Sequence, residues 1–187
     1  VVQLARSFCD VLTFNDCWLG HNNLSSLIYA NSLVTINGGA FIPPGTDCQG
    51  KCFVYLTNDD GAGGTVTNEH ERGVHIRGAR ASNEGGNCPL VVCDFPVSNE
   101  YRQNPVVNIS NCTLAGFHPT QYEAGGTETG IVHLKQYPAF VSFNNSGINA
   151  LGNPTAKLVS AQSTLSATAP KTFGVYVDDA TLKSAEW

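Results

Sequence analysis

Five acidic residues raise the first chemical question: Asp59, Asp60, Glu69, Glu71 and Asp94. Two carboxyl groups that flank a glycosidic bond hydrolyse it, about 5–5.5 Å apart with retention and about 6.5–9.5 Å apart with inversion. Asp59 and Asp60 lie in a turn-like NDDG stretch, where Asp is common for backbone reasons alone. Glu69-His70-Glu71 is the densest ionisable triplet and reads as a solvated loop; Glu100 completes the set. A lyase needs a base near the sugar C5, often with Ca²⁺ and a cationic side chain. Arg72, Arg77, Arg80 and Arg102 would supply cations, but no acidic cluster of the D-x-D-x-D kind is present. The nucleophile elbow, the P-loop and the dinucleotide fingerprint are missing. Gly61–Gly64 (GAGG) has no strand–helix unit around it and reads as a flexible loop rather than a phosphate cradle. No cofactor is implied. Catalysis stays undecided and leans to absent; if present, it is that of a polysaccharide hydrolase or lyase.

Seven Cys occur, an odd number, so at least one is free or pairs with another chain. Cys48 and Cys52 form a C-x3-C that fits a small disulfide loop or half of a zinc site. No second C-x2-4-C or H-x3-5-H completes a zinc site, so no metal is expected. Cys17, Cys93 and Cys112 read as buried free thiols acting as small hydrophobes. Sequons at Asn23, Asn108, Asn111 and Asn144 would mark surface loops in a secreted eukaryotic protein, yet Asn108 and Asn111 sit in a strand-like run.

These groups need elements to position them. The chain has 187 residues, a net charge of −5, 13% charged and 42% hydrophobic residues. That argues against a basic nucleic-acid footprint and against wholesale disorder. No apolar run reaches the roughly 18 residues of a membrane-spanning helix. The first residues lack the basic-then-apolar layout of a secretion signal. Met is absent throughout, so the stretch reads as a section of a longer chain or as a processed product. The one plausible helix is Val1–Leu12, where Leu4, Phe8 and Leu12 recur about once per turn. Elsewhere short β-branched and aromatic runs are broken by Gly, Asn, Asp and Pro.

A degenerate repeat emerges from those runs: apolar, any, apolar, polar, turn-former, small, any, apolar. It starts at Leu12 (LTFNDCWL), Val34 (VTINGGAF), Val107 (VNISNCTL), Val141 (VSFNNSGI) and Val175 (VYVDDATL). Weaker copies start at Val54, Val74, Leu90 and Leu158. Successive starts differ by 22, 20, 20, 16, 17, 34, 17 and 17 residues, and Val132 is a candidate hidden in the longest gap. Side chains alternate along a strand, so the first and third positions point inward and the second outward. The turn-former bends the chain through a corner, because Asn, Asp and Gly tolerate left-handed backbone angles. Asn15, Asn37 and Asn144 would stack as ladders at the strand spacing of about 4.8 Å.

A strand, a corner and a second strand in series describe one coil of an all-β, parallel β-solenoid. The alternative is an antiparallel β-sandwich or jelly roll. Asn37-Gly and Asp60-Gly come nearest to its hairpin turns, and neither lies cleanly between two alternating runs. Residues 1–149 form the repeat domain, and 150–187 a linker or capping strand segment of the same domain. Polar, Gly-rich insertions at Ile42–Lys51, Asn58–His70, Ser82–Pro89 and Phe117–Gly130 would project from it.

Across Leu12–Ile148 the runs LTFNDCWL, VTINGGAF, VVNISNCTLAGF and VSFNNSGI resemble right-handed parallel β-helix proteins of the pectin-lyase-like class. That class includes phage tailspikes and fibres, polysaccharide lyases and surface adhesins. The resemblance is one of fold, with no family-specific motif. It implies an elongated, trimeric module at the virion surface or outside the cell that handles polysaccharide.

One outward column is expected to gather Tyr55, His75 and Asn108, with His133 if Val132 starts a rung. An aromatic beside amide and imidazole groups suits glycan binding, by stacking on the sugar and hydrogen bonding to its hydroxyls. Three functions follow: a fibre section that forms a rigid shaft and binds surface glycans, a polysaccharide-degrading tailspike domain, or a capsid- or knob-like domain acting by protein contact. The expected partners are a surface polysaccharide and two further copies of the chain, with no nucleic acid and no membrane insertion.

Overall fold

The computed structural model describes residues 5–7, 11–20, 25–42, 49–59, 62, 64, 72–81, 88–94, 105–114, 122, 130–135, 140–144, 159–161 and 174–178. In chain order the strands are β1 (Ala5–Ser7), β2 (Val11–Asn15), β3 (Trp18–Gly20), β4 (Ser26–Ala30), β5 (Leu33–Asn37), β6 (Ala40–Ile42), β7 (Cys52–Thr57), β8 (Gly73–Arg77) and β9 (Arg80–Ala81). They continue as β10 (Val91–Asp94), β11 (Val106–Ser110), β12 (Val132–Leu134), β13 (Phe140–Asn144), β14 (Val159–Ala161) and β15 (Gly174–Asp178). The first sheet runs β1-β4-β7-β10-β12-β14, the second β2-β5-β8-β11-β13-β15, and a third, shorter one β3-β6-β9. Through β9 the chain visits the three sheets in rotation; β10–β15 then alternate between the first and second, and each visit adds the next strand.

Every strand pair among the described residues is parallel. The protein is therefore all-β with parallel sheets, and the antiparallel sandwich is not supported. The helix expected over Val1–Leu12 is also corrected. Its described residues are strands, with Ala5–Ser7 paired to β4 and Val11 and Leu12 paired to β5. Three apolar residues one turn apart are too few to outweigh the ladder that neighbouring strands supply.

The second sheet follows the repeat residue for residue. Leu12, Val34, Val74, Val107, Val141 and Val175 are in register along it. Two rows face the core: Val34, Val74, Val107 and Val141, then Ile36, Ile76, Ile109 and Phe143, all buried. Burying each such side chain contributes about 1.5–3 kcal/mol. The corner is a row of its own: Asp16, Gly38, Gly78 and Asn111 have φ of 51°, 68°, 65° and 52°. Each donates its N–H to the carbonyl of the last residue of the neighbouring strand, as Gly38 does to Arg77 at 2.7 Å. Small residues follow at Cys17, Gly39, Ala79 and Cys112. At Gly39 a Cβ would collide with the Cys17 carbonyl, so the row admits no side chain there.

The first sheet holds the copies that belong to no second-sheet row. Val54, Val91 and Val132 align with Ile28 and Val159. One weak copy is corrected by one residue, because Val91, not Leu90, aligns with Val54 and Val132; Val159 aligns with Val132, and Leu158 lies outside the described residues. A one-residue slip reverses every side chain of a strand. The Asn ladder is present in part. Asn37 bonds Asn15, but Arg77 and Ser110 occupy the next two places, so Asn144 stacks on Ser110.

Candidate functional site

The expected single outward column is two columns. Tyr55 and His133 lie on the first sheet, in a row Tyr29–Tyr55–Val92–His133–Ser160. His75 and Asn108 lie on the second, in a row Thr13–Thr35–His75–Asn108–Ser142. Both sheets use the same apolar–any–apolar alternation, which does not say to which sheet a strand belongs.

The first-sheet face carries the densest polar constellation among the described residues. The Tyr29 and Tyr55 rings stack with centroids 5.5 Å apart and planes 3° from parallel. Parallel in-register strands dictate this, because identical residues on adjacent rungs are one strand spacing apart. The Tyr29 hydroxyl donates to Asp59 Oδ2 at 2.8 Å. Asp59 is itself fixed: its carbonyl accepts from Asn31 Nδ2 at 2.9 Å, and its N–H donates to Thr57 Oγ1 at 3.2 Å. One rung on, the Tyr55 hydroxyl donates to Asp94 Oδ2. Lys135 Nζ closes the group, 2.8 Å from Asp94 Oδ2 and 2.9 Å from the Tyr55 hydroxyl. Its ammonium also sits 5.4 Å from the Tyr55 ring centroid. Lys135 reaches this position because its backbone N–H bonds Cys93, which sets it beside Asp94 on the next rung.

Burial, then the hydrogen bond and charge of Asp94, push the Tyr55 phenol well above the ordinary tyrosine range. Asp94 and Lys135 keep 18% and 29% of their side chains exposed, so the pair remains in reach of a solute. His133 differs. It is only 2% exposed, its Nδ1 is 2.9 Å from Ser160 Oγ, and the Tyr122 ring lies 4.9 Å away. Ser160 Oγ also accepts from the Gly130 N–H at 2.7 Å. His133 is thus a packed member of the face rather than an exposed one.

The chain matches no family model, no curated protein and no solved structure.

On the second sheet, His75 and Asn108 are adjacent in register and half-buried. Arg77 Nη2 approaches His75 Nδ1 at 3.5 Å, and Asn108 Oδ1 is buried with no hydrogen-bond partner. A glycan attached at Asn108 would have to displace that side chain. Of the carboxylates, Asp59 and Asp94 join the first-sheet face, each held by its own tyrosine; Asp60, Glu69 and Glu71 lie outside the described residues. So do Glu100, Arg102, Cys48 and Asn23. Among the described residues Cys17, Cys52, Cys88, Cys93 and Cys112 form no disulfide, and all but Cys17 are buried. Among the described residues no group of three or more His, Cys, Asp or Glu is placed to hold a metal. No helix among them is long and apolar enough to cross a membrane.

Sequence reasoning missed Tyr29 and Lys135. Ile28-Tyr29-Ala30 copies Val54-Tyr55-Leu56 one rung earlier, a repeat that was there to be found. Lys135 carries no such mark.

Proposed function

We propose that this chain is a section of a parallel β-solenoid whose first-sheet face binds surface polysaccharide without cleaving it. Three sheets with strands in sequential order, joined by a row of left-handed corners, support the solenoid. The pectin-lyase-like likeness supports the same architecture and nothing about chemistry. The stacked Tyr29–Tyr55 pair, with a carboxylate on each hydroxyl and Lys135 bridging the second, is the observation that carries the binding reading. Carboxylates, an ammonium and phenol edges repeating at the strand spacing offer donors and acceptors for sugar hydroxyls.

The same geometry disfavours turnover. A general base must take up a proton near working pH. Tyr55 holds its own proton, and Asp94 Oδ2 already accepts from two donors. The module acts as a rigid trimeric shaft at the virion surface or outside the cell.

The test is an array of capsular and lipopolysaccharide glycans probed with the unmodified chain and with Tyr55→Phe. The expected result is retention of one or more glycans, weakened about tenfold by loss of the hydroxyl, as for one hydrogen bond to a charged group. An array that retains nothing overturns the reading. New reducing ends or unsaturated products replace it with the degrading one, and a compact sedimenting monomer removes the shaft.

A further inference from the structure

The third sheet carries a pair that the first-sheet face does not use. Trp18 begins β3 and is 68% exposed, the most exposed large hydrophobic residue described. Two rungs along, Arg80 begins β9, and its guanidinium carbon lies 5.5 Å from the Trp18 ring centroid. Ala40 occupies the rung between them. Its methyl group lets the longer Arg80 side chain cross to the indole. Among the described residues Arg80 is exposed and has no ion-pair partner; the indole is its neighbour. A cation–π contact at an exposed site is weak, about 0.5–1 kcal/mol. It orients the guanidinium while leaving its in-plane N–H groups available.

The occupant follows from what is present and what is not. Apart from Trp18, the exposed large hydrophobic residues described are Val11 and Val106, at the opening ends of β2 and β11. Among the described residues Trp18 therefore has no apolar surround of the size a stable protein interface needs, about 600–1,000 Å² on each side. One indole face matches one sugar ring, and a planar cation beside it matches a carboxylate in bidentate geometry. We infer that Trp18 and Arg80 form a second sugar subsite, selective for a residue that bears a carboxylate. The inference rests on the glycan-binding reading and adds the charge class of the ligand.

The experiment is a titration of the ¹⁵N-labelled chain, following the indole N–H of Trp18, one of two Trp in the sequence. The signal is assigned with Trp18→Phe. The probes are glucuronate, galacturonate and N-acetylneuraminate, each against glucose and galactose. At least one acid is expected to shift the signal at a concentration about tenfold below the neutral sugars, as one charge-assisted contact supplies. Arg80→Ala should abolish that preference, and Arg80→Lys should restore part of it. No shift with any acid, equal shifts with neutral sugars, or an unchanged preference in Arg80→Ala overturns the subsite. Broadening that depends on chain concentration alone makes Trp18 a copy–copy contact and overturns it too. If array binding survives Trp18→Phe but is weakened by Tyr55→Phe, the first-sheet reading stands without this subsite. If the unmodified chain binds no array glycan, both fall.

Discussion

The side-chain amide of Asn37 donates to Oδ1 of Asn15 at 2.9 Å, across one strand spacing and 22 residues of sequence. The two residues occupy the last strand position before the corner, and the bond ties the end of β5 to the end of β2. A net hydrogen bond of this kind contributes about 0.5–1.5 kcal/mol. Asn37→Ala should lower stability by that amount in urea unfolding, and Asn37→Asp should do the same because the donor is lost. Unchanged midpoints in both variants would show that the ladder is incidental.

Two corner glycines separate strain from collision. Gly78 has φ +65° with open space where a Cβ would stand, so Gly78→Ala should cost about 1–2 kcal/mol from left-handed backbone alone. Gly39 has φ +75°, and its Cβ would drive into the backbone of Cys17. Gly39→Ala should exceed about 3 kcal/mol, the upper end of ordinary single substitutions. Equal costs for the two variants would refute the close stacking of β3 on β6.

The second sheet was legible in the sequence because its corner carries chemistry. Asn15-Asp-Cys, Asn37-Gly-Gly, Arg77-Gly-Ala and Ser110-Asn-Cys all place a left-handed-tolerant residue before a small one, and all fall in one row. The first sheet has no such mark. Val54-Tyr55-Leu56 and Val74-His75-Ile76 read alike as alternating strands, and only the ladder assigns them to different sheets. That is why Tyr55 was expected beside His75 and lies instead between Tyr29 and Val92. Lys135 was illegible for a related reason: it meets Asp94 through register, 41 residues away in sequence.

Tyr55 should ionise above the ordinary tyrosine range. Burial and Asp94 raise its folded value above the ordinary range near 10, while the unfolded phenol titrates normally. The folded state thus keeps a proton that the unfolded state releases. This contribution is whole below about pH 10 and is lost as pH rises further. Tyrosinate absorbance, read as the difference between the unmodified chain and Tyr55→Phe, should show Tyr55 silent until unfolding. In Asp94→Asn the carboxylate charge is gone, so the Tyr55 midpoint should fall. A Tyr55 that titrates near 10 in the unmodified chain would contradict the described pairing.

The thiols extend the same argument to milder alkali. Burial, then the charge of Asp94, pushes Cys93 up to about 12, and burial likewise raises Cys52 and Cys112. Unfolded thiols release their protons near pH 8.5, so the folded state binds more protons above that point. Stability should decline from about pH 8.5 upward, by up to about 1.4 kcal/mol per pH unit for each such thiol. Cys93→Ala removes one of these protons and should flatten the decline measured by urea unfolding at stepped pH. Half-exposed Cys17 should react with a disulfide reagent in the native state, while Cys52, Cys88, Cys93 and Cys112 wait for unfolding. A Cys93→Ala slope identical to that of the unmodified chain would place Cys93 in water, against its row in the core beside Leu56 and Leu134.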